Sequence, residues 1–338
     1  MKIKKPQIII SGFLCLLIII AYKLNMEMSE LFSRSFVKFV MNGVLVLAMI
    51  PMINVGVGMN FGLPIGIIAG ILGMCISIQF RLSGFVGFLM AILVSIPIAI
   101  IFGVLYGKIL NHVKGKEDIA AMFIGFAFIP IMNFFWTIAP FSNREMLYPI
   151  GGKGLRPKIS LDNYFGRVLN DLWIVKVNNI EIPVGLIMFY AVIAILMYLY
   201  FNSRKGKLME AVGENEIFCT LSGVDIDKTR IKAVVISTIT AGVGIIVYAQ
   251  SYGFVELYGS PSSFTFPAIS SILIGGCIGK KATLFHAILG TFLYQSIYLL
   301  STPIANELLV PEMAEIIRMI ITNGIILYAF LKQERRTT

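Results

Sequence analysis

Residues Asn202–Lys232 read NSRKGKLMEAVGENEIFCTLSGVDIDKTRIK, a charge-rich stretch set between two apolar runs, Ile182–Phe201 and Ala233–Gln250. It is too long for a simple turn, since compact helix connections take about 2–8 residues. Its middle has a helical pattern, with Leu208, Ala211 and Val212 followed by Ile217 and Leu221 on one side. Gly213 and Gly223 punctuate the ends of a short helix expected to start near Glu214, where Glu214 and Glu216 suit the positive end of the helix dipole. The acidic residues disfavour a helix lying on lipid. A short amphipathic helix standing off a membrane is a docking piece for a cytoplasmic partner.

The flanking runs set the fold class. Of 338 residues, 57% are hydrophobic and 14% charged, against about 45–50% apolar and about 25% charged in an ordinary soluble domain. So few charges cannot cover a globule of this size, which excludes a soluble enzyme, a disordered tail protein and a disulfide scaffold. A bilayer core of ~30 Å takes about 20 apolar residues per helix. The runs Gln7–Tyr22, Phe39–Val55, Phe61–Gln79, Gly84–Tyr106, Ile119–Pro140, Ile182–Phe201, Ala233–Gln250, Phe266–Ile278, Ala282–Leu300 and Met313–Leu331 predict ten spans. The short eighth run, rich in Ser and Gly, reads as a re-entrant or broken helix. We therefore expect one all-α, polytopic membrane domain over residues 1–338, with a long outer loop at 141–181 and the cytoplasmic loop at 202–232. The first run follows MKIKK, but Lys23 and Leu24 stand where a small-residue cleavage site would be, so it reads as an uncleaved anchor.

Charge distribution assigns the orientation. With the N-terminus inside and ten crossings, 17 of the 28 Lys and Arg fall in cytoplasmic segments and ten outside, the latter including Arg144, Lys153, Arg156 and Lys158 of the long outer loop. That bias predicts N-in and C-in. The net charge of +10 is then a topology label and gives no support to nucleic-acid binding. Within the predicted spans the ionisable residues are Glu315 and Arg318, three apart and suited to pair with each other. Neither the isolated carboxylate of an ion-coupled carrier nor the arginine ladder of a voltage sensor is present. Cys15, Cys75, Cys219 and Cys277 have no metal or disulfide spacing and read as small buried hydrophobes, while His112 and His286 stand alone. No metal, cofactor or catalytic set is expected.

The third run opens on Gly58, Gly62, Gly66 and Gly70, a strict four-residue repeat that strips side chains from one helix face and admits a neighbouring backbone. Pro64 interrupts it early. Asn54 and Asn60 flank its start in INVGVGMNFGLPIG, so unwound backbone near Asn54–Gly62 is a candidate lining for a translocation path. Phe134 and Trp136 are candidates to stack on a base or sugar.

The run Gly206-Lys-Leu-Met-Glu210-Ala211-Val-Gly213-Glu214-Asn215, followed by Leu221-Ser222-Gly223, resembles the cytoplasmic signature of ABC-importer permeases serving branched-chain amino acids, ribose-type sugars and nucleosides. Ile53-Asn54-Val55-Gly56 is similar to that family's early Asn-Gly segment, and Ser271–Gly276 through Gly290 to its late glycine-rich helix. Together they cover roughly residues 40–330. The early segment and Lys116-Glu117-Asp118-Ile119 most resemble the simple-sugar and nucleoside branch. Gly58 and Phe218-Cys219-Thr220 depart from its pattern, which bears on the solute more than on the class. The resemblance implies a permease of the bacterial inner membrane, paired with a second permease chain, identical or paralogous, and fed by an extracytoplasmic solute-binding protein. It further implies that cytoplasmic ABC ATPase subunits dock on Glu210, Ala211, Gly213, Glu214, Asn215, Leu221, Ser222 and Gly223. ATP hydrolysis belongs to those subunits, because Gly275-Gly276-Cys277-Ile278-Gly279-Lys280-Lys281 has the wrong glycine spacing for a phosphate loop and Lys281 where Ser or Thr is needed. The chain is thus expected not to be an enzyme. Its expected cargo is a small polar solute, a sugar or nucleoside, with branched-chain amino acids or ion-coupled secondary transport as alternatives.

Overall fold

The computed structural model describes residues 5–148, 154–177, 180–277 and 281–308, together with Ile316 and Gly324. The helices are α1 Lys5–Lys23, α2 Met28–Leu47, α3 Ile50–Asn54, α4 Leu63–Gln79, α5 Gly84–His112 and α6 Glu117–Ile138, then α7 Val168–Asp171, α8 Val184–Asn202, α9 Arg204–Glu214, α10 Glu216–Leu221, α11 Ile226–Tyr252, α12 Ser260–Ser263, α13 Thr265–Ile274 and α14 Leu284–Leu308. Among the described residues, six helical stretches are long and apolar enough to cross a membrane: Met28–Asn54, Gly84–His112, Glu117–Ile138, Val184–Asn202, Ile226–Tyr252 and Leu284–Glu307. Gln7–Lys23 and Leu63–Gln79 are shorter apolar helices. Apart from Ile316 and Gly324, the predicted run Met313–Leu331, with Glu315 and Arg318, lies outside the described residues, as do Lys153, Ile278, Gly279 and Lys280.

Local chemistry explains the breaks. Pro51 lacks the N–H that would continue α2 into α3, so the chain turns at residues 48–49. Residues 55–62 are non-helical, with Gly56 at φ +79° and Gly58 at φ +105°, a region glycine enters without strain. Pro64 sits in the first turn of α4, where its missing N–H costs nothing. Helix α13 has ten residues, about 15 Å of rise, half of a ~30 Å apolar core. Cys75, Cys219 and Cys277 are buried and Cys15 is exposed, all four with free thiols.

The glycine repeat builds the centre of the bundle. A Cβ added to Gly66 would lie 2.7 Å from the Thr238 carbonyl oxygen, and one added to Gly70 would land on the Gly242 carbonyl. Helices α4 and α11 therefore meet backbone to backbone, the close approach that small residues permit. Gly62 faces the Tyr106 ring and Gly73 the Ala91 carbonyl, which seats α5 on the same helix.

The loop at 141–181 and the residues after α11 add structure that an all-helical reading does not contain. β1 Lys158–Ser160 pairs antiparallel with β4 Phe254–Glu256, and β2 Ile174–Val177 with β3 Ile180–Pro183. Glutamines at span ends staple this cap to the bundle. Gln79 Oε1 accepts from the Ser142 and Asn143 amides, and Gln250 Oε1 from the Leu169 amide. Arg156 donates to the Leu147 carbonyl and Lys158 lies 3.9 Å from Glu256.

Candidate functional site

The charge-rich loop folds as two helices joined at one residue, where a single helix from Glu214 is expected. Ser203 Oγ accepts from the Gly206 amide and starts α9 ten residues early. Asn215 closes α9 and, in extended conformation, caps α10 by accepting from the Phe218 amide at 2.9 Å. Gly213 therefore lies inside α9, and Glu214 ends it. Gly223, at φ +80°, ends the turn after α10. Met209, Val212 and Cys219 are buried in a local core with Met52, Val55, Val57, Ala121 and Val234. Ile217, Phe218 and Leu221 point the other way and are 75%, 65% and 83% exposed. Asn215→Ala removes the α10 cap and is expected to cost about 1 kcal/mol of local helix stability. Hydrogen exchange across Glu216–Leu221 should accelerate; unchanged exchange would refute that role for Asn215.

The buried face of α9 rests on the helix break. A Cβ at Gly213 would land on the Asn54 carbonyl and 3.0 Å from the Gly56 nitrogen; one at Gly56 would lie 3.1 Å from Gly213 Cα. Two glycines from distant parts of the chain thus let α9 touch the end of α3 directly. Asn54 Oδ1 in turn accepts from the Ala282 amide at 2.7 Å, joining the same point to the entry of α14. Glu210 lies 3.2 Å from Lys281 Nζ and 3.4 Å from Lys207 Nζ, adding an ionic tie between α9 and that entry. All three glycine-bearing motifs meet here.

A second knot holds the neighbouring helix ends. Arg230 of α11, 5% exposed, pairs with Glu117 of α6, 13% exposed, and donates from Nε to Asn111 of α5 at 3.0 Å. Lys114 bridges Glu216 of α10 at 3.0 Å and Asp227 of α11 at 2.9 Å. Burial works against the Lys114 charge, yet its hydrogen bonds to Asp227 and Glu216 outweigh that and hold the ammonium above its ordinary range. Asp118 accepts from the Met59 amide at 3.0 Å, and a Cβ at Gly58 would land on its carboxylate. The unwound segment is therefore fixed at the end of the bundle that carries α9 and α10.

The residues proposed for a solute path do not form one cluster. Asn54 is committed to Ala282, and Asn60 is fully buried with its Nδ2 donating to Ser237 Oγ at 2.8 Å. Phe134 is 68% exposed on α6. Trp136 is buried near the cap formed by the loop at 141–181, where its carbonyl accepts from the Leu155 amide, far along α6 from the Asn54–Asn60 segment. Sequence reasoning missed Arg230 and Asn111 altogether. Their signal is weak, a polar pair at two span ends.

No metal-type cluster of His, Cys, Asp or Glu occurs among the described residues. A model of the family described as "Branched-chain amino acid transport system / permease component" matches residues 7–327. No curated protein and no solved structure matches the chain.

Proposed function

The chain belongs to this family of permease components, making it a multi-pass transport subunit of the bacterial inner membrane without an ATPase of its own, and from that premise we propose that it is the membrane half of an ATP-driven, binding-protein-dependent importer for a sugar or nucleoside. The ten-span, N-in and C-in topology belongs to the same reading. So do the partners: two ATPase subunits, a second permease chain and an extracytoplasmic binding protein. The observation that carries it is the direct backbone contact of Gly213 with Asn54–Gly56.

The proposed mechanism follows that contact. An ATPase gripping the exposed Ile217, Phe218 and Leu221 face of α10 displaces α9. Because α9 rests on Asn54–Gly56 with no side chain between, the displacement enters the unwound segment 55–62 and the start of α4. The Asn54–Ala282 hydrogen bond and the Glu210–Lys281 pair pass it to α14 at the same moment. Interfaces packed this tightly switch between discrete arrangements in preference to deforming.

Energy source decides between this reading and ion-coupled transport. Proteoliposomes holding the chain with its ATPase, partner permease and binding protein should take up solute only with ATP, at a rate indifferent to a protonophore. Uptake abolished by the protonophore and independent of ATP would overturn the proposal.

A further inference from the structure

Helix α2 starts eleven residues before the predicted second span, so Lys38 is its eleventh residue and lies inside the helix that forms the span Met28–Asn54. The path from Lys38 to Asn54 through α2 and α3 is at most about 24 Å at helical rise, within a ~30 Å core. Its Nζ has neither a carboxylate within 4 Å nor a hydrogen-bond acceptor among the described residues. Instead it stands 5.8 Å from the Tyr248 ring centre and 5.9 Å from that of Tyr252. An ammonium held in a span without an anion is costly, and such residues mark functional sites.

Lys38 lines a cavity of about 280 Å³ between α2, α11 and α14, in the half of the bundle away from α9 and α10. A wider opening of about 590 Å³, which Lys38 and Tyr298 also line, continues it toward Arg34 and Glu307. Two tyrosine pairs wall the cavity. Tyr248 and Tyr252 stack at 5.7 Å with planes 28° apart, and Tyr294 and Tyr298 at 6.4 Å with planes 16° apart. Each pair places two rings one helical turn apart on the cavity wall. Asn42 and Gln295 line the same space. Asn42 spends its Nδ2 on the Lys38 carbonyl, which leaves Oδ1 as an acceptor.

We propose that this cavity is a solute site within the permease chain, built for a planar heteroaromatic ring with carbonyl oxygens on its edge, the base of a nucleoside being the type case. The tyrosine faces supply stacking, which is tolerant of ring identity. Lys38 supplies donors to a ring carbonyl, while Asn42 and the Gln295 amide supply the mixed acceptor and donor groups that read a base edge. A full anion fits less well, because the negative faces of four tyrosines and the Glu256 carboxylate on the cavity wall oppose it. The size suits one small molecule and no oligomer. This inference rests on the importer reading and narrows its solute class.

The test is equilibrium binding to the purified full-length chain in lipid nanodiscs, with uridine and inosine as probes and ribose and leucine as comparisons. Saturable nucleoside binding is expected, with ribose and leucine much weaker. Lys38→Met, which keeps the apolar stem, should weaken nucleoside binding about tenfold to a hundredfold, the weight of a charge-assisted hydrogen bond, and Lys38→Arg should restore most of it. Tyr252→Leu, at a partly exposed position, should weaken it independently. Absence of nucleoside binding, ribose or leucine binding as tight, or an unchanged affinity in Lys38→Met would each overturn the proposal. No ATPase takes part, so failure here leaves ATP-driven uptake standing, and the two failures are told apart.

Discussion

Gly213→Ala is expected to abolish solute uptake while the protein still inserts and assembles. The new methyl has no room, because the atoms it meets are backbone: the Asn54 carbonyl and the Gly56 nitrogen. Side chains can rotate out of the way, but a carbonyl at the end of α3 cannot move without shifting the helix that carries it. Overpacking of this kind costs about 1–3 kcal/mol, too little to unfold a bundle whose centre lies elsewhere, at α4, α5 and α11. The strain is relieved by lifting α9 from Asn54–Gly56, which severs the proposed link while leaving the exposed face of α10 available to the ATPase. ATP hydrolysis should therefore persist and lose its dependence on the loaded binding protein, with uptake down by up to about two orders of magnitude, the upper end of that cost converted to rate. Gly213→Leu should be no better. Wild-type uptake by either variant, at normal membrane levels, would remove Gly213 from the coupling pathway.

Why the sequence shows part of this and hides the rest follows from what each signal measures. Apolar runs report burial or lipid contact, so the long helices are legible, with ends that track composition more than geometry. Lys38 shows the consequence: the run begins at Phe39, but the helix begins at Met28, and the ammonium moves from a loop into the bundle. Gly58 and Gly62 fall in the non-helical segment 55–62, off the helix face that the repeat predicts, and only the Gly66–Gly70 part is legible as a packing face because its period is local. Its partner surface, Thr238–Ile245, lies some 170 residues away and leaves no local trace. The contact between Gly213 and Asn54 has the same character. Each glycine is visible, and only the fold shows that they face one another. The β1–β4 ladder joins two three-residue strands almost a hundred residues apart, too short for alternation to register. The tyrosines at 248 and 252 and at 294 and 298 are the opposite case. Their four-residue spacing is plain in the sequence, and only their shared cavity gives it meaning.

Arg230→Met should destabilise the protein more than loss of any exposed charge, and should do so at the end of the bundle that carries α9 and α10. Arg230 and Glu117 are both desolvated, and the guanidinium also holds Asn111, whose Nδ2 reaches back to the Asp227 carbonyl. Removing the arginine leaves the Glu117 carboxylate buried without its cation, a loss of about 3–5 kcal/mol for such a broken pair. The cost is therefore mainly that of the orphan, and a second substitution distinguishes this from simple loss of attraction. Replacing Glu117 as well, in Arg230→Met with Glu117→Gln, should recover much of the stability, because no charge then remains to be desolvated. By contrast, Lys228→Met, which breaks a solvent-screened pair with Asp225, should leave the melting temperature nearly unchanged. Thermal melting of the three variants in detergent gives the order directly. A double variant as unstable as Arg230→Met alone would show that the guanidinium matters through its packing and its bond to Asn111, with the Glu117 charge already compensated by other means. Recovery in the double variant without recovery of uptake would separate the two tasks of this knot. One holds α5, α6 and α11 together, and the other keeps α11 and Lys114 in register with α10 while α10 moves.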